Sequence, residues 1–361
     1  MQTPPPEHGT LPFVPRDPLV TAFRLQAGGC RLFGSQMYAR MMEHGLQDVL
    51  AGGPVARMLD GFEGDPVRGF LPLRLFGAVH ARVLAGQEPE LARYYPTAGG
   101  VADADAAWPL FVGVVEQHGD ALRERLGRFP QTNEVRRCAG LLGGFLEAAH
   151  ETRLPLRLRE IGCSAGLNLQ WSRYRYRIGD GVWGDPDSPV RLAPEWTGPL
   201  PRLETGVEIE SRAGCDLDPP RLADDAAART LESFVWADQP DRLEQLRAAI
   251  AMWRADPPRV DRARARDWLA EELADEARGL CTVVYHSSVW IYVAPEERAA
   301  IREILEARGA RATSEDPIAW VRHEDGKVPG SVEIRVRVWP GGEERLLGMG
   351  HPHGREVEWR G

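Results

Sequence analysis

The segment Leu158-Arg159-Glu160-Ile161-Gly162-Cys163-Ser164-Ala165-Gly166-Leu167-Asn168-Leu169 most narrows what this chain can become. A short strand, residues 156–161, runs into a turn of small residues bracketed by Gly162 and Gly166, and a helix is expected to follow. Glycine is needed where the backbone must turn left-handed or approach a ligand closely. A helix start then offers free N–H groups and a positive dipole end. A strand entering such a turn belongs to strand–helix alternation and a parallel sheet.

The rest of the second half fits that grammar. Strands are expected at 207–215, 260–266, 282–286 and 317–323, with a helix over 295–308 opened by Pro295 and closed by Gly309. Val332, Ile334, Val336 and Val338 alternate with polar residues in a sixth strand. Pro340-Gly341-Gly342 turns it into a seventh, 345–350. A hairpin is expected around Gly179-Asp180-Gly181, inside an insertion spanning about 171–200. Its aromatics Trp171, Tyr174 and Tyr176 alternate with Arg173, Arg175 and Arg177; a lid with aromatics on one face explains this more simply than base stacking.

The first half reads differently. Residues 23–49 and 73–84 read as helices. So do the stripes Phe111, Val114, Val115, His118, Leu122, Leu126 and Val135, Cys138, Ala139, Leu142, Phe145, Leu146, Ala149. Thr132 or Asn133 is the expected cap of the last of these. The division expected is a flexible, proline-rich tail over 1–17, a helical domain over 18–152 and an α/β domain over 153–361.

Two chemistries compete for the glycine turn. Glu160-x-Gly162-x-Ser164-x-Gly166 resembles the first motif of the Rossmann-like, class I S-adenosylmethionine-dependent methyltransferases, with Ser164 in place of the middle glycine. That resemblance implies a seven-stranded Rossmann-like sheet. It also implies a loop of Gly162, Ser164, Ala165, Gly166 and Asn168 cradling the cofactor, with Glu160 near its ammonium. Asp216 and Asp218, after the second strand, would take the ribose hydroxyls. Asp267 and Trp268, after the third, would meet the adenine. Gly162-Cys163-Ser164-Ala165-Gly166 also satisfies the G-x-S-x-G elbow of serine hydrolases, with Asp216 or Asp267 and then His351 or His353 as partners. Against the elbow, the string follows the first strand of its sheet, and Glu160 has no role in it.

Strand ends further on supply candidate catalytic groups. Tyr285-His286-Ser287 closes the fourth strand, where His286 is the expected base and Tyr285 and Ser287 line the acceptor site. Gly350-His351-Pro352-His353-Gly354 follows the seventh, and its two histidines are further candidates. No third ligand is evident from spacing, so no metal is assigned. Gln131, Asn133 and Arg137 open the helix before the first strand, and substrate contact is expected of them.

At the level of the whole chain the strings QTNEVRR, GCSAGLNL, GCDLDP, YHSSVW and GHPHG resemble an uncharacterised bacterial family bearing a domain of unknown function. That family supplies no activity. The expectation is therefore methyl transfer from S-adenosylmethionine to a small molecule, with a serine hydrolase or a non-catalytic cofactor-binding module as alternatives. A formal net charge of −9 argues against nucleic acid as partner. Lys327 is the only lysine, so the abundance of arginine reflects composition rather than phosphate recognition. No apolar run reaches the ~20 residues of a membrane span. Five scattered cysteines and the absence of a leader-like start suit a reducing, cytoplasmic setting.

Overall fold

The computed structural model describes residues 18–361 apart from 63, 128 and 132. The expected tail over 1–17 and the candidate cap Thr132 lie outside the described residues.

The chain begins with helices α1 (Pro18–Leu32), α2 (Gln36–Ala51), α3 (Pro54–Leu59), α4 (Leu71–Leu84), α5 (Pro89–Ala92), α6 (Ala104–Leu126) and α7 (Arg137–Thr152). The single helical stretch expected over 23–49 is two helices. Gly34, at φ 88°, breaks it, and Ser35 caps α2 by accepting from Tyr38 N. Phe23, Met41, Leu75, Phe76 and Phe111 build the core of α1–α6. By packing, α7 goes with the sheet rather than with these helices: Cys138, Leu142, Phe145 and Leu146 share a core with strand residues.

The second half contains β1 (Leu156–Ile161), β2 (Arg175–Ile178), β3 (Gly181–Gly184), β4 (Arg191–Leu192), β5 (Glu195–Thr197), β6 (Ile209–Asp216), α8 (Asp225–Ser233), α9 (Pro240–Ala255), β7 (Arg259–Arg262), α10 (Ala265–Glu272), β8 (Cys281–Ser287), α11 (Pro295–Ala310), β9 (Ile318–Asp325), β10 (Val332–Trp339), β11 (Glu344–Gly350) and β12 (Glu356–Trp359). The main sheet has nine strands, in the order β5-β12-β11-β10-β9-β8-β1-β6-β7. The seven-stranded sheet expected from the sequence is thus corrected: β12 pairs antiparallel with β11, and β5 pairs parallel with β12. These two strands are only four and three residues long, too short to show a period.

From β7 to β9 every pair is parallel, and β9 to β12 form an antiparallel meander. The parallel part runs outward from β1 to β6 and β7, then returns to the other side of β1 for β8 and β9. The order therefore reverses between β1 and β8, the kind of switch point where open α/β sheets bind ligands outside the carboxyl ends of their strands. Alternate residues of β8 serve opposite faces: Val283 and Tyr285 join the core under α7, and Val284 joins the one under α11.

The helix expected after the glycine turn is a seven-residue 3-10 helix, Leu167–Arg173. Its first five residues are all buried, so no solvent-facing side supports an amphipathic helix. The insertion forms a three-stranded sheet, β3-β2-β4. Trp171, Tyr174 and Tyr176 are core residues, with the two tyrosine hydroxyls donating to Leu167 O and Trp171 O at 2.6 and 2.8 Å.

Candidate functional site

Three alternate small-residue positions give the loop after β1 its shape. Gly162, Ser164 and Gly166 have φ of 62°, 52° and 81°. For Ser164 the left-handed region costs on the order of 1–3 kcal/mol, so its surroundings must hold it. Ser164 N donates to Asp216 Oδ2 at 2.9 Å, and Cys163 N to Cys215 O at 3.0 Å. A Cβ on Gly162 would stand 2.2 Å from Val289 Cγ2, so the loop lies flush against the segment after β8.

Gln131 and Asn133 brace the loop from outside. Ser164 Oγ donates to Gln131 Oε1 at 3.1 Å, Gln131 Nε2 to Asp218 O at 3.1 Å, and Leu167 N to Asn133 Oδ1 at 3.2 Å. Asn133 therefore stabilises the loop instead of capping α7, whose flanking residue is Arg136. Asn168 Oδ1 lies 3.3 Å from the Cys138 thiol, and Ala165 is buried.

Asp216 stands at the end of β6, half-buried, and its second oxygen accepts from Asp218 N at 3.0 Å. Asp218 is exposed and paired with Arg262. Asp267 is not at a strand end. β7 stops at Arg262, and Asp267 sits exposed in the first turn of α10 against Arg266. The acid on β7 is Asp261, which accepts from Trp268 Nε1 at 2.8 Å.

Glu160 lies enclosed beneath the loop. Tyr285 Oη donates to its Oε2 at 3.2 Å, and burial pushes the carboxyl from 4.5 up to about 8. Behind it Phe145 stacks on Trp171 at 4.3 Å and meets Tyr285 edge-on at 4.9 Å.

Both ring nitrogens of His286 are engaged. Trp320 Nε1 donates to Nε2 at 3.1 Å, so Nδ1 carries the proton it donates to Glu324 Oε1, at 2.6 Å. The ring is fully buried and stacks on Trp290 at 4.0 Å. Glu324 also accepts from Val289 N and Trp290 N, each at 3.1 Å. Burial works to raise the Glu324 carboxyl, but His286 and these two N–H groups hold it below its ordinary value. His286 and Glu324 thus fasten the segment that closes over Gly162. A buried acid ending a strand as apolar as 318–323 was the available sequence signal for Glu324.

His351 and His353 sit in the turn between β11 and β12, with rings 5.4 Å apart and His353 N donating to His351 Nδ1 at 3.0 Å. Burial lowers both, His351 to about 4, so both are neutral at pH 7. Among the described residues no group of three or more His, Cys, Asp and Glu could hold a metal ion.

A cavity of about 450 Å³ opens beside this assembly, between α1 and α4 on one side and the segments after β8, β9 and β11 on the other. Arg137 and His353 line it, and so does Ser288, whose neighbour Val289 touches Gly162. Ser287 lies at its edge and accepts from Arg137 Nη1 through its carbonyl, at 3.3 Å. Two other depressions, of about 620 and 560 Å³, lie between α4 and α6 and at the N-terminal ends of β1 and β6, away from these groups.

The structure thus gathers Gln131, Asn133, the loop 162–166, Asp216 and Asp218 into one group, and Arg137, Ser287 and His353 into its neighbour. Ser164 has the positive φ that a nucleophile elbow shares. Its hydroxyl, however, donates to an amide oxygen, and no described histidine bonds to it.

The chain belongs to the family described as "Uncharacterized protein conserved in bacteria (DUF2332)", whose profile matches residues 20–359. No curated protein and no solved structure matches it.

Proposed function

We propose that this protein is an S-adenosylmethionine-dependent methyltransferase that modifies a small molecule. The observation carrying the reading is the left-handed loop 162–166 at the switch point of a doubly wound sheet, with Asp216 at the end of the next strand. Asp216 fits a vicinal diol. Each of its oxygens accepts one backbone N–H, and an ionised carboxylate has about four acceptor sites. In this proposal Asp216 holds the ribose, and Glu160 supports the strand end rather than meeting the cofactor's ammonium. The cofactor supplies a sulfonium methyl that is open to in-line displacement.

The protein's contribution is placement. His286 and Glu324 fix the 289–290 segment between loop and cavity. The acceptor occupies the cavity, where His353 Nδ1 is buried without a partner and is open to a hydrogen bond. No helix among the described residues is long and apolar enough to cross a membrane.

Calorimetric titration with S-adenosylmethionine and S-adenosylhomocysteine tests the reading. Saturable binding that Asp216→Asn weakens about tenfold or more, in a variant that still unfolds cooperatively, is expected. Folded protein that binds neither compound refutes it.

A further inference from the structure

The cavity holds more polar groups than its walls satisfy. Arg137 donates only to backbone carbonyls: Nε to Pro352 O at 2.9 Å and Nη1 to Ser287 O at 3.3 Å. Among the described residues no carboxylate pairs with Arg137, and its Nη2 has no partner. Arg242, the other guanidinium on the cavity wall, is by contrast paired with Glu134 and Gln239. Ser288 Oγ, His353 Nδ1 and Arg242 Nε, all on lining residues, are buried without a hydrogen-bond partner. Buried polar atoms are normally satisfied, so three such atoms beside the open edge of Arg137 call for an occupant.

The chemistry of the walls narrows that occupant. Of the acids nearby, Glu134 is taken by Arg242, Glu324 is taken by His286 and two N–H groups, and Asp325 is exposed at the rim. Arg137 is the guanidinium on this wall without a carboxylate partner, and it matches a monoanion. A dianion would remain half uncompensated, and an ammonium would meet two arginines. A planar guanidinium edge suits a carboxylate in particular. The remaining wall carries five aromatic side chains suited to a ring, Phe33, Phe70, Phe234, Trp236 and Tyr292. A volume of about 450 Å³ is that of a small-molecule site.

We infer that this cavity binds a small aromatic monocarboxylate, its carboxylate on the free edge of Arg137 and its ring among Phe33, Phe70, Trp236 and Tyr292. Ser288 Oγ and His353 Nδ1 then receive a second polar substituent. As the acceptor of methyl transfer this ligand rests on the reading above; as an occupant of the cavity it is tested without it.

The test titrates the full chain with 2-naphthoate, 2-naphthamide and 2-naphthylmethylamine, which share a ring and differ in charge. The acid is expected to bind at least about tenfold more tightly than the amide, and the amine not to compete. Arg137→Gln should abolish the acid's advantage and leave the amide unchanged, whereas Ser288→Ala should keep the advantage. If Arg137→Gln does not fold, the acid-to-amide ratio of the unmodified protein still decides. Equal affinities, preference for the amine, no binding of the acid, or an advantage surviving in Arg137→Gln overturns the inference. Acid binding without S-adenosylhomocysteine binding sinks methyl transfer and leaves this site standing; the reverse sinks this site alone.

Discussion

Glu160 offers a pH experiment whose sign and size follow from its burial. The carboxyl is 2 % exposed, its polar contact is Tyr285, and its folded value is about 8 against an ordinary 4.5. Between those values the folded protein holds a proton that the unfolded chain has released. Stability contributed by this group is therefore fully present below pH 4.5 and is lost as pH rises toward 8. At about 1.36 kcal/mol per unit, the 3.5 units between 4.5 and 8 amount to roughly 5 kcal/mol at most. A typical domain has only ~5–15 kcal/mol in total. Glu160→Gln keeps the shape and an acceptor for Tyr285 but cannot ionise. Urea denaturation of both proteins from pH 5 to 9 isolates the group, because the buried histidines titrate alike in each. The gap should widen steadily in favour of the variant and level off above pH 8. Parallel profiles would refute the reasoning, and so would a gap that grows toward acid.

Gly162→Ala puts a Cβ 2.2 Å from Val289 Cγ2 at φ 62°, so it should cost about 1–3 kcal/mol in urea denaturation, with partial rescue by Val289→Ala. His286→Ala strands the buried Glu324 carboxylate; a loss of about 3–5 kcal/mol is expected, checked by the urea midpoint, and a variant as stable as the parent would show the pair to be idle. All five cysteines are buried, and burial raises each thiol. Native protein should therefore react slowly with a disulfide reagent, and five thiols should appear on unfolding.

What could be read from the sequence was what has a local cause. The expected first and sixth strands coincide with β1 and β10 to within one residue, because Gly162 closes the one and strict alternation marks the other. The alternation in 332–338 is the signature of the half-exposed strand found there. Asp267 misled because an acid marks a strand end and a helix first turn equally well, and α10 starts two residues before it. The double engagement of His286 was hidden because Trp320 and Glu324 reach it from the neighbouring strand, 34 and 38 residues away. Likewise Gln131 meets Ser164 and Asp218 only through tertiary folding, and the cavity depends on segments from across the chain.

The central claim places an S-adenosyl cofactor across the carboxyl ends of β1 and β6. A crystal structure of the protein with S-adenosylhomocysteine tests it most directly. The ribose hydroxyls are expected on Asp216, with the loop 162–166 against the cofactor and the cavity beside Arg137 left open. A ligand bound elsewhere, or none at saturating concentration with Asp216 unchanged, would contradict it.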